Sequence, residues 1–255
     1  MVVTVRNRHR TVIKVAGPKL LLLICFGGVL INISGIVEFL QVTVTTCTAR
    51  VWLLHLGFAF VYGPLLLKIW RISLVEAVSS INVSEEVSKS VSSSGVWWKL
   101  SLIVLPVFID LIVWSVVSNL TLQLVQTGTQ LKYHICHEDW MDYGIMLAEF
   151  LFLLWGVYLC FKRRNVVTPY NEARYIAWGI YVTTFWKNFM TVIRIFLSQS
   201  IDPDVLYLLY IMEWQVPVTL TLIMLFLPKI YRTRRRRINK INPTTLVVQE
   251  EDDDD

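Results

Sequence analysis

The sequence predicts an all-α membrane protein with six transmembrane helices, and two observations support this prediction. Of the 255 residues, 55% are hydrophobic and 17% are charged, whereas soluble proteins average about 45–50% apolar and about 25% charged residues. The apolar residues also gather in six runs of 17 to 26 residues, close to the roughly 20 residues that a helix needs to cross a membrane. The runs are 20–40, 51–67, 100–125, 145–161, 175–197 and 205–227. This distribution excludes soluble enzymes and nucleic-acid-binding proteins.

The segment before the first run, residues 1–19, is basic and predicts a cytoplasmic start. Its apolar stretch is short and is followed by charges instead of a small-residue cleavage site. The first run is therefore interpreted as an uncleaved anchor and not as a signal peptide.

Basic residues alternate from loop to loop, which predicts the orientation of the bundle, residues 20–231. Twenty Lys and Arg residues lie in the N-terminal segment, the second and fourth loops and the tail, whereas the other three loops hold only Arg50 and Lys132. Because cytoplasmic loops are enriched in Lys and Arg, both termini are expected in the cytoplasm. We expect a multi-pass protein of the plasma membrane.

The second and third runs contain Pro64 and Pro106, and a proline inside a transmembrane helix produces a kink. The loop between these runs, residues 72–99, holds nine serines. Such a composition is typical of an accessible loop, which either contacts signalling proteins or is a plain linker.

Two cysteines lie on the predicted outer side, Cys47 before the second run and Cys136 in the loop after the third. Because the outer face is oxidising, we predict a disulfide between them; the alternative is two free thiols. The cysteine spacings do not match a zinc site. We predict neither a metal site nor a cofactor nor catalytic residues.

The last three runs contain charged residues within the membrane. Glu149 lies in the fourth run, Lys187 and Arg194 in the fifth and Glu213 in the sixth, and each such charge costs about 2.5–3.5 kcal/mol to insert. At about 1.5 Å per residue, Lys187 and Glu213 lie at matching depth. We predict a Lys187–Glu213 pair, with Glu149 or Glu38 also within reach of the basic residues.

The tail, residues 232–255, begins with an arginine cluster and ends in acidic residues. Arginines directly after a transmembrane helix favour binding to anionic lipid, at about 1 kcal/mol per charge, over binding to nucleic acid. The acidic end is typical of a disordered segment.

Several segments resemble the class C G-protein-coupled receptors, the metabotropic-glutamate type. The third helix of that class is similar to CTARVWLLHLGFAFVYGPLLLKIWRI, from Cys47. The start of its sixth helix is similar to PYNEARYIAWGIYVTTFW, from Pro169, and the end of its seventh to FLPKIY, from Phe226. The stretch AEFLFLLWGVYLC, from Ala148, is most similar to the orphan branch that includes the metabotropic glycine receptor.

The resemblance implies that the six helices correspond to helices 2–7 of a seven-helix bundle. The first helix and the extracellular ligand-binding module of the class are then missing, and residues 1–19 are equivalent to its first intracellular loop. A truncated sequence and a natural short form both fit this interpretation.

The resemblance also implies roles for particular residues. In the class, small allosteric ligands bind where this chain has Lys187, Arg194, Glu213, Glu149 and Trp186; the alternative is a purely structural ion pair. Lys187 stands where the class often has an aromatic residue, and Trp186 lies one position earlier.

At the inner face, Lys68 and Glu172 match the positions of an inner ionic lock of the class. The alternative is that Glu172 pairs with Arg174 or Arg164 in solvent, which contributes almost nothing to stability. Pro228 and Lys229 belong to the seventh-helix motif.

The predicted function is therefore the transmembrane signalling region of a class C receptor, not an enzyme. Its predicted partners are membrane lipid, a heterotrimeric G protein or a regulator-of-G-protein-signalling complex, and a second receptor in a dimer. One alternative is a transporter or channel in which Asp110, Lys187 and Glu213 line the path. Another is a signalling-incompetent short form that acts as a membrane scaffold or as a partner for longer receptors.

Overall fold

The computed structural model describes residues 18–79, 93–118, 122–126, 132–136, 140–162, 172–197 and 203–241. The helices are α1 (Pro18–Val37), α2 (Val44–Ser79), α3 (Ser93–Val117), α4 (Trp140–Lys162), α5 (Glu172–Leu197) and α6 (Pro203–Ile241). The strands are β1 (Leu122–Gln126) and β2 (Lys132–Cys136). Most of the predicted basic segment 1–19, the middle of the serine-rich loop and the acidic end of the tail lie outside the described residues.

The predicted fold class is confirmed, with one antiparallel hairpin, β1–β2, added between α3 and α4. Within the described residues, five helices are long and apolar enough to cross a membrane. The sixth, α5, has 26 residues, which is also long enough to span, but Lys187 and Arg194 make it less apolar. Both charges are buried in the bundle, so α5 belongs to it despite its composition.

Helix α2 lies at the centre of the bundle and packs against α1, α3, α4 and α5, while α5 packs against α6. The main apolar core is centred on α2 residues such as Val61, Tyr62 and Leu65, which are almost completely buried. Leu153 of α4 and Ile180 of α5 pack into the same cluster. The functional side chains described below lie around this core.

The outside of the bundle is apolar, as expected of a surface that contacts lipid. On α3, which packs mainly against α2, Leu102, Leu105, Ile109 and Val116 are all exposed. Aromatic side chains near the ends of the apolar runs are exposed too, and Trp and Tyr are typical of membrane interfaces. They include Trp97, Trp98, Trp140, Tyr143, Trp178 and Tyr231.

Helices α1 and α2 come into backbone contact at a pair of glycines. A Cβ atom on Gly27 would lie 2.7 Å from the carbonyl oxygen of Gly57, and one on Gly57 would lie 3.0 Å from the carbonyl oxygen of Gly27. The second Cβ would also lie 2.6 Å from Cγ1 of Ile31. Small residues at such crossings allow transmembrane helices to approach closely.

We therefore expect Gly27→Ala to destabilise the bundle by about 1–3 kcal/mol, because an added methyl group forces two backbones apart. The measurement is the unfolding free energy of the purified protein in detergent micelles. Gly144→Ala is the matched control, since a Cβ there meets nothing within 4 Å. An equal loss of stability in both variants would contradict the close contact.

The predicted disulfide is confirmed. Cys47 at the start of α2 is bonded to Cys136 at the end of β2, with the two Cα atoms 6.0 Å apart. The bond attaches the hairpin to the bundle, and we call this end of the bundle the disulfide end. Cys25 and Cys160 are free thiols.

Candidate functional site

Buried charged side chains form a layer in the half of the bundle nearer the disulfide end. Glu213 of α6 is fully buried, and one of its carboxylate oxygens accepts a hydrogen bond from Arg194 Nε of α5 at 3.1 Å. Its other oxygen accepts a bond from the Thr191 hydroxyl at 2.7 Å. The guanidinium of Arg194 also donates to the Tyr210 hydroxyl at 3.1 Å. This ion pair joins α5 to α6.

A second ion pair joins α5 to α4. The Lys187 ammonium donates to Oε2 of Glu149, and His55 Nδ1 of α2 lies 2.7 Å from Oε1 of the same carboxylate. All three side chains are buried. With the imidazole neutral and protonated at Nδ1, His55 donates to Glu149, so both carboxylate oxygens have a donor.

Aromatic rings surround the ammonium of Lys187. Its Nζ lies 3.6 Å from the ring centroid of Trp214 and 4.6 Å from that of Phe58. The His55 ring meets Trp214 edge to face at 5.8 Å. The faces of aromatic rings attract cations, and this attraction is stronger away from water.

A third ion pair lies nearer the disulfide end. Arg50 of α2 donates to Glu38 at 3.0 Å, and its guanidinium lies 5.0 Å from the ring centroid of Tyr210. The guanidinium of Arg194 lies 4.6 Å from the same ring. Tyr210 therefore links this pair to the Arg194–Glu213 pair.

A small cavity of about 20 Å³ lies between α1, α2 and α6 beside this layer, large enough for about one water molecule. Its lining includes the polar side chains Ser34, Glu38, Tyr210 and Gln215. Trp214, which packs against Lys187, also lines it. The Gln215 amide donates to the Ile31 carbonyl at 2.9 Å and so joins α6 to α1.

Three buried hydroxyl groups join α2, α5 and α6. The Tyr62 hydroxyl lies 3.1 Å from that of Thr183, which lies 3.1 Å from that of Thr221. All three side chains are almost completely buried. This chain of hydrogen bonds, which the sequence did not reveal, crosses the core between three helices.

The structure brings four of the five predicted pocket residues into this layer, but it corrects their pairing. The predicted Lys187–Glu213 pair is wrong, because Lys187 pairs with Glu149, and Glu213 pairs with Arg194. The fifth residue, Trp186, donates its indole N–H to the Met212 carbonyl at 2.8 Å. It therefore contacts the α6 backbone next to Glu213, not the charged groups themselves.

The residues predicted for the inner ionic lock and for the seventh-helix motif lie at the opposite end of the bundle. Lys68 of α2 is 5% exposed and Lys229 of α6 is 8% exposed, and Pro228 lies inside α6. Glu172 begins α5, but its side chain lies outside the described residues. The inner ionic lock between Lys68 and Glu172 therefore remains a prediction.

Residues 1–229 match the family model described as "7 transmembrane sweet-taste receptor of 3 GCPR". The metabotropic glycine receptor of Rattus norvegicus is 31% identical over 236 residues, which are 90% of this chain and 19% of that protein. G-protein coupled receptor 179 of Mus musculus is 29% identical over 240 residues, 91% of this chain and 10% of that protein. Metabotropic glutamate receptor-like protein J of Dictyostelium discoideum is 28% identical over 195 residues, 72% of this chain and 24% of that protein.

The chain spans about a fifth of the length of the glycine receptor that it matches. The family match nevertheless extends over most of the chain and includes all of the buried charged layer. The fold, the disulfide and these matches agree, and the chain belongs to the class C, or family 3, G-protein-coupled receptors.

Proposed function

We propose that the chain acts as the transmembrane signalling region of a class C receptor, which passes a ligand-dependent rearrangement of helices to G proteins or their regulators. The observation that supports this most is the buried charged layer. Helix α5 is held to α4 through Lys187–Glu149 and to α6 through Arg194–Glu213. A shift of α5 must break or exchange these pairs, which favours discrete arrangements over continuous deformation.

The distribution of charge supports an orientation with the disulfide end outside the cell. The opposite end has basic residues such as Lys68, Lys99, Lys162 and Lys229, and basic residues favour the cytoplasmic side. A disulfide forms and persists in an oxidising compartment. We propose a protein of the plasma membrane whose cytoplasmic face includes the ends of α2, α4 and α6.

The proposed partners belong to that cytoplasmic face. The serine-rich loop between α2 and α3 and the basic last turns of α6, from Arg232 to Lys240, belong to it, and the arginine cluster is suited to anionic lipid. We propose a G protein or a regulator-of-G-protein-signalling complex as the protein partner, and a second receptor as a neighbour in the membrane.

The proposed lock between Lys68 and Glu172 provides the test of this function. We expect Lys68→Glu and Glu172→Lys each to raise basal G-protein activation several-fold. Lys68 is buried, and loss of an ion pair worth about 1–3 kcal/mol shifts a two-state equilibrium. The measurement is nucleotide exchange on G proteins in membranes that contain the full chain. The double swap should restore the basal rate.

Lys162→Glu is the control, because this exposed lysine lies at the same end of the bundle. Altered signalling in both single variants without rescue in the double variant would disprove the pair. The receptor function would be contradicted if no form of the chain activated G proteins. An ion or solute flux through vesicles that contain the chain would then support a transporter.

A further inference from the structure

The environment of Lys187 has the composition of a binding site for an organic ammonium ion. The carboxylate of Glu149 contacts the ammonium directly, and Trp214 presents its ring face at 3.6 Å from Nζ. Phe58 provides a second ring at 4.6 Å. A carboxylate combined with aromatic faces is the arrangement by which proteins recognise ammonium groups.

We call the Glu149 carboxylate and the two rings the cage; its residues and Lys187 come from different helices. Phe58 and His55 belong to α2, Glu149 to α4 and Trp214 to α6, whereas Lys187 belongs to α5. His55 holds the Glu149 carboxylate in place, because its Nδ1 lies 2.7 Å from Oε1, whereas Lys187 donates to Oε2. Removal of the Lys187 side chain therefore leaves every wall of the cage in place.

We propose that Glu149, Trp214 and Phe58 form a binding site for primary ammonium ions, which Lys187 occupies as a built-in ligand and which an external alkylammonium ion enters when Lys187 is absent. The ligand class is a small protonated primary amine. Its N–H groups donate to the carboxylate, and its alkyl group has the width of a lysine side chain. The inference requires the folded bundle only and does not depend on signalling.

The charge of the site supplies a driving force for external binding. In the absence of the Lys187 ammonium, Glu149 would keep only its contact with His55, and removal of one partner of a buried ion pair strongly destabilises a folded protein. An alkylammonium ion restores the ion pair and the contacts with both rings. Trp214 also lines the small cavity of about 20 Å³, which offers room for about one water molecule next to the cage.

The experiment compares wild-type protein with Lys187→Ala, purified in detergent micelles, with propylammonium chloride as the probe. We expect the variant to unfold at a lower Tm, and we expect propylammonium to raise its Tm by about 2–4 °C in a saturable way. Sodium chloride at equal ionic strength and neutral propan-1-ol should not reproduce this rise. Wild-type protein should not respond, because Lys187 already fills the cage.

Two further variants separate the cage from other sites. Lys187→Met fills the same volume without a charge, so propylammonium should not raise its Tm. Lys187→Ala combined with Glu149→Gln removes the carboxylate and should also abolish the response. Equal shifts in wild-type protein, Lys187→Met and Lys187→Ala would show binding elsewhere and would overturn the proposal, as would the absence of any shift in Lys187→Ala.

If Lys187→Ala yields no folded protein in plain buffer, the same comparison is made on the yield of monodisperse protein extracted and purified with or without propylammonium. A yield that depends on the amine, and that propan-1-ol does not restore, supports the site. Equal failure under all three conditions overturns it.

Discussion

Glu213→Gln should destabilise the bundle by about 3–5 kcal/mol, because it leaves the guanidinium of Arg194 buried without a carboxylate. Glu213 is fully buried and accepts hydrogen bonds from both Arg194 and Thr191. Glutamine has nearly the same shape, so the loss reports the charge and not a cavity. The measurement is the free energy of unfolding in detergent micelles, from a denaturant titration.

A double-mutant cycle isolates the pair. Combining Glu213→Gln with Arg194→Met removes both charges, so the double variant should be more stable than Glu213→Gln alone. Glu38→Gln is the comparison at a more accessible pair, since the Glu38 side chain is 20% exposed, and we expect a loss below about 1 kcal/mol. A double variant whose loss equals the sum of the two single losses would contradict the direct pairing.

Removal of the disulfide should cause the second large effect. Cys47 and Cys136 are 89 residues apart in the sequence, and loss of a native disulfide typically costs about 2–5 kcal/mol. We expect Cys47→Ser and Cys136→Ser to lower stability by similar amounts, and the double variant to lose no more than either single variant. The measurement is the Tm with and without reducing agent. The reducing agent should lower the Tm of the wild-type protein and should leave the Tm of these three variants unchanged.

Cys25→Ser is the control for general effects of cysteine replacement, because Cys25 is a free thiol on α1. We expect it to retain the sensitivity of the wild-type protein to reducing agent. If the double variant lost as much stability as the two single variants together, each cysteine would contribute independently of the bond.

Much of the fold was predictable because membrane insertion leaves a strong trace in a sequence. Five helices were evident from their apolar composition alone. For α5 the run of 175–197 also predicted a helix, although Lys187 and Arg194 reduce its apolar character. The structure explains how such a helix is accommodated, since each of these charges meets a carboxylate of another helix.

The members of the charged layer were predictable, but their pairing was not. Counting residues from the helix ends gives the depth of each Cα atom, whereas side chains lean toward the N-terminus of their helix. Because α5 and α6 run in opposite directions, Arg194 leans away from the disulfide end and Glu213 leans toward it. The two side chains converge on one another. The Lys187–Glu149 pair depends instead on how α4 and α5 are rotated about their axes, which the sequence does not reveal.

Other parts of the site depend on how the helices are rotated about their axes. Trp214 and Phe58 belong to runs in which most residues are apolar, and the sequence does not distinguish the ring that faces Lys187 from one that faces lipid. The hydroxyl groups of Tyr62, Thr183 and Thr221 come from three separate helices, so their contact arises only from tertiary packing.

The three ion pairs of the charged layer also determine how this layer responds to an electric field. Glu38, Glu149 and Glu213 balance Arg50, Lys187 and Arg194, so the layer has no net charge when the His55 imidazole is neutral. Moving one elementary charge across a membrane potential of 100 mV involves about 2.3 kcal/mol, but a neutral layer that moves as a unit performs no such electrical work. Displacement of the whole native layer is therefore independent of membrane voltage, whereas the proposed shift of α5 would move the positive charges of Lys187 and Arg194 relative to their carboxylates and should respond to the voltage.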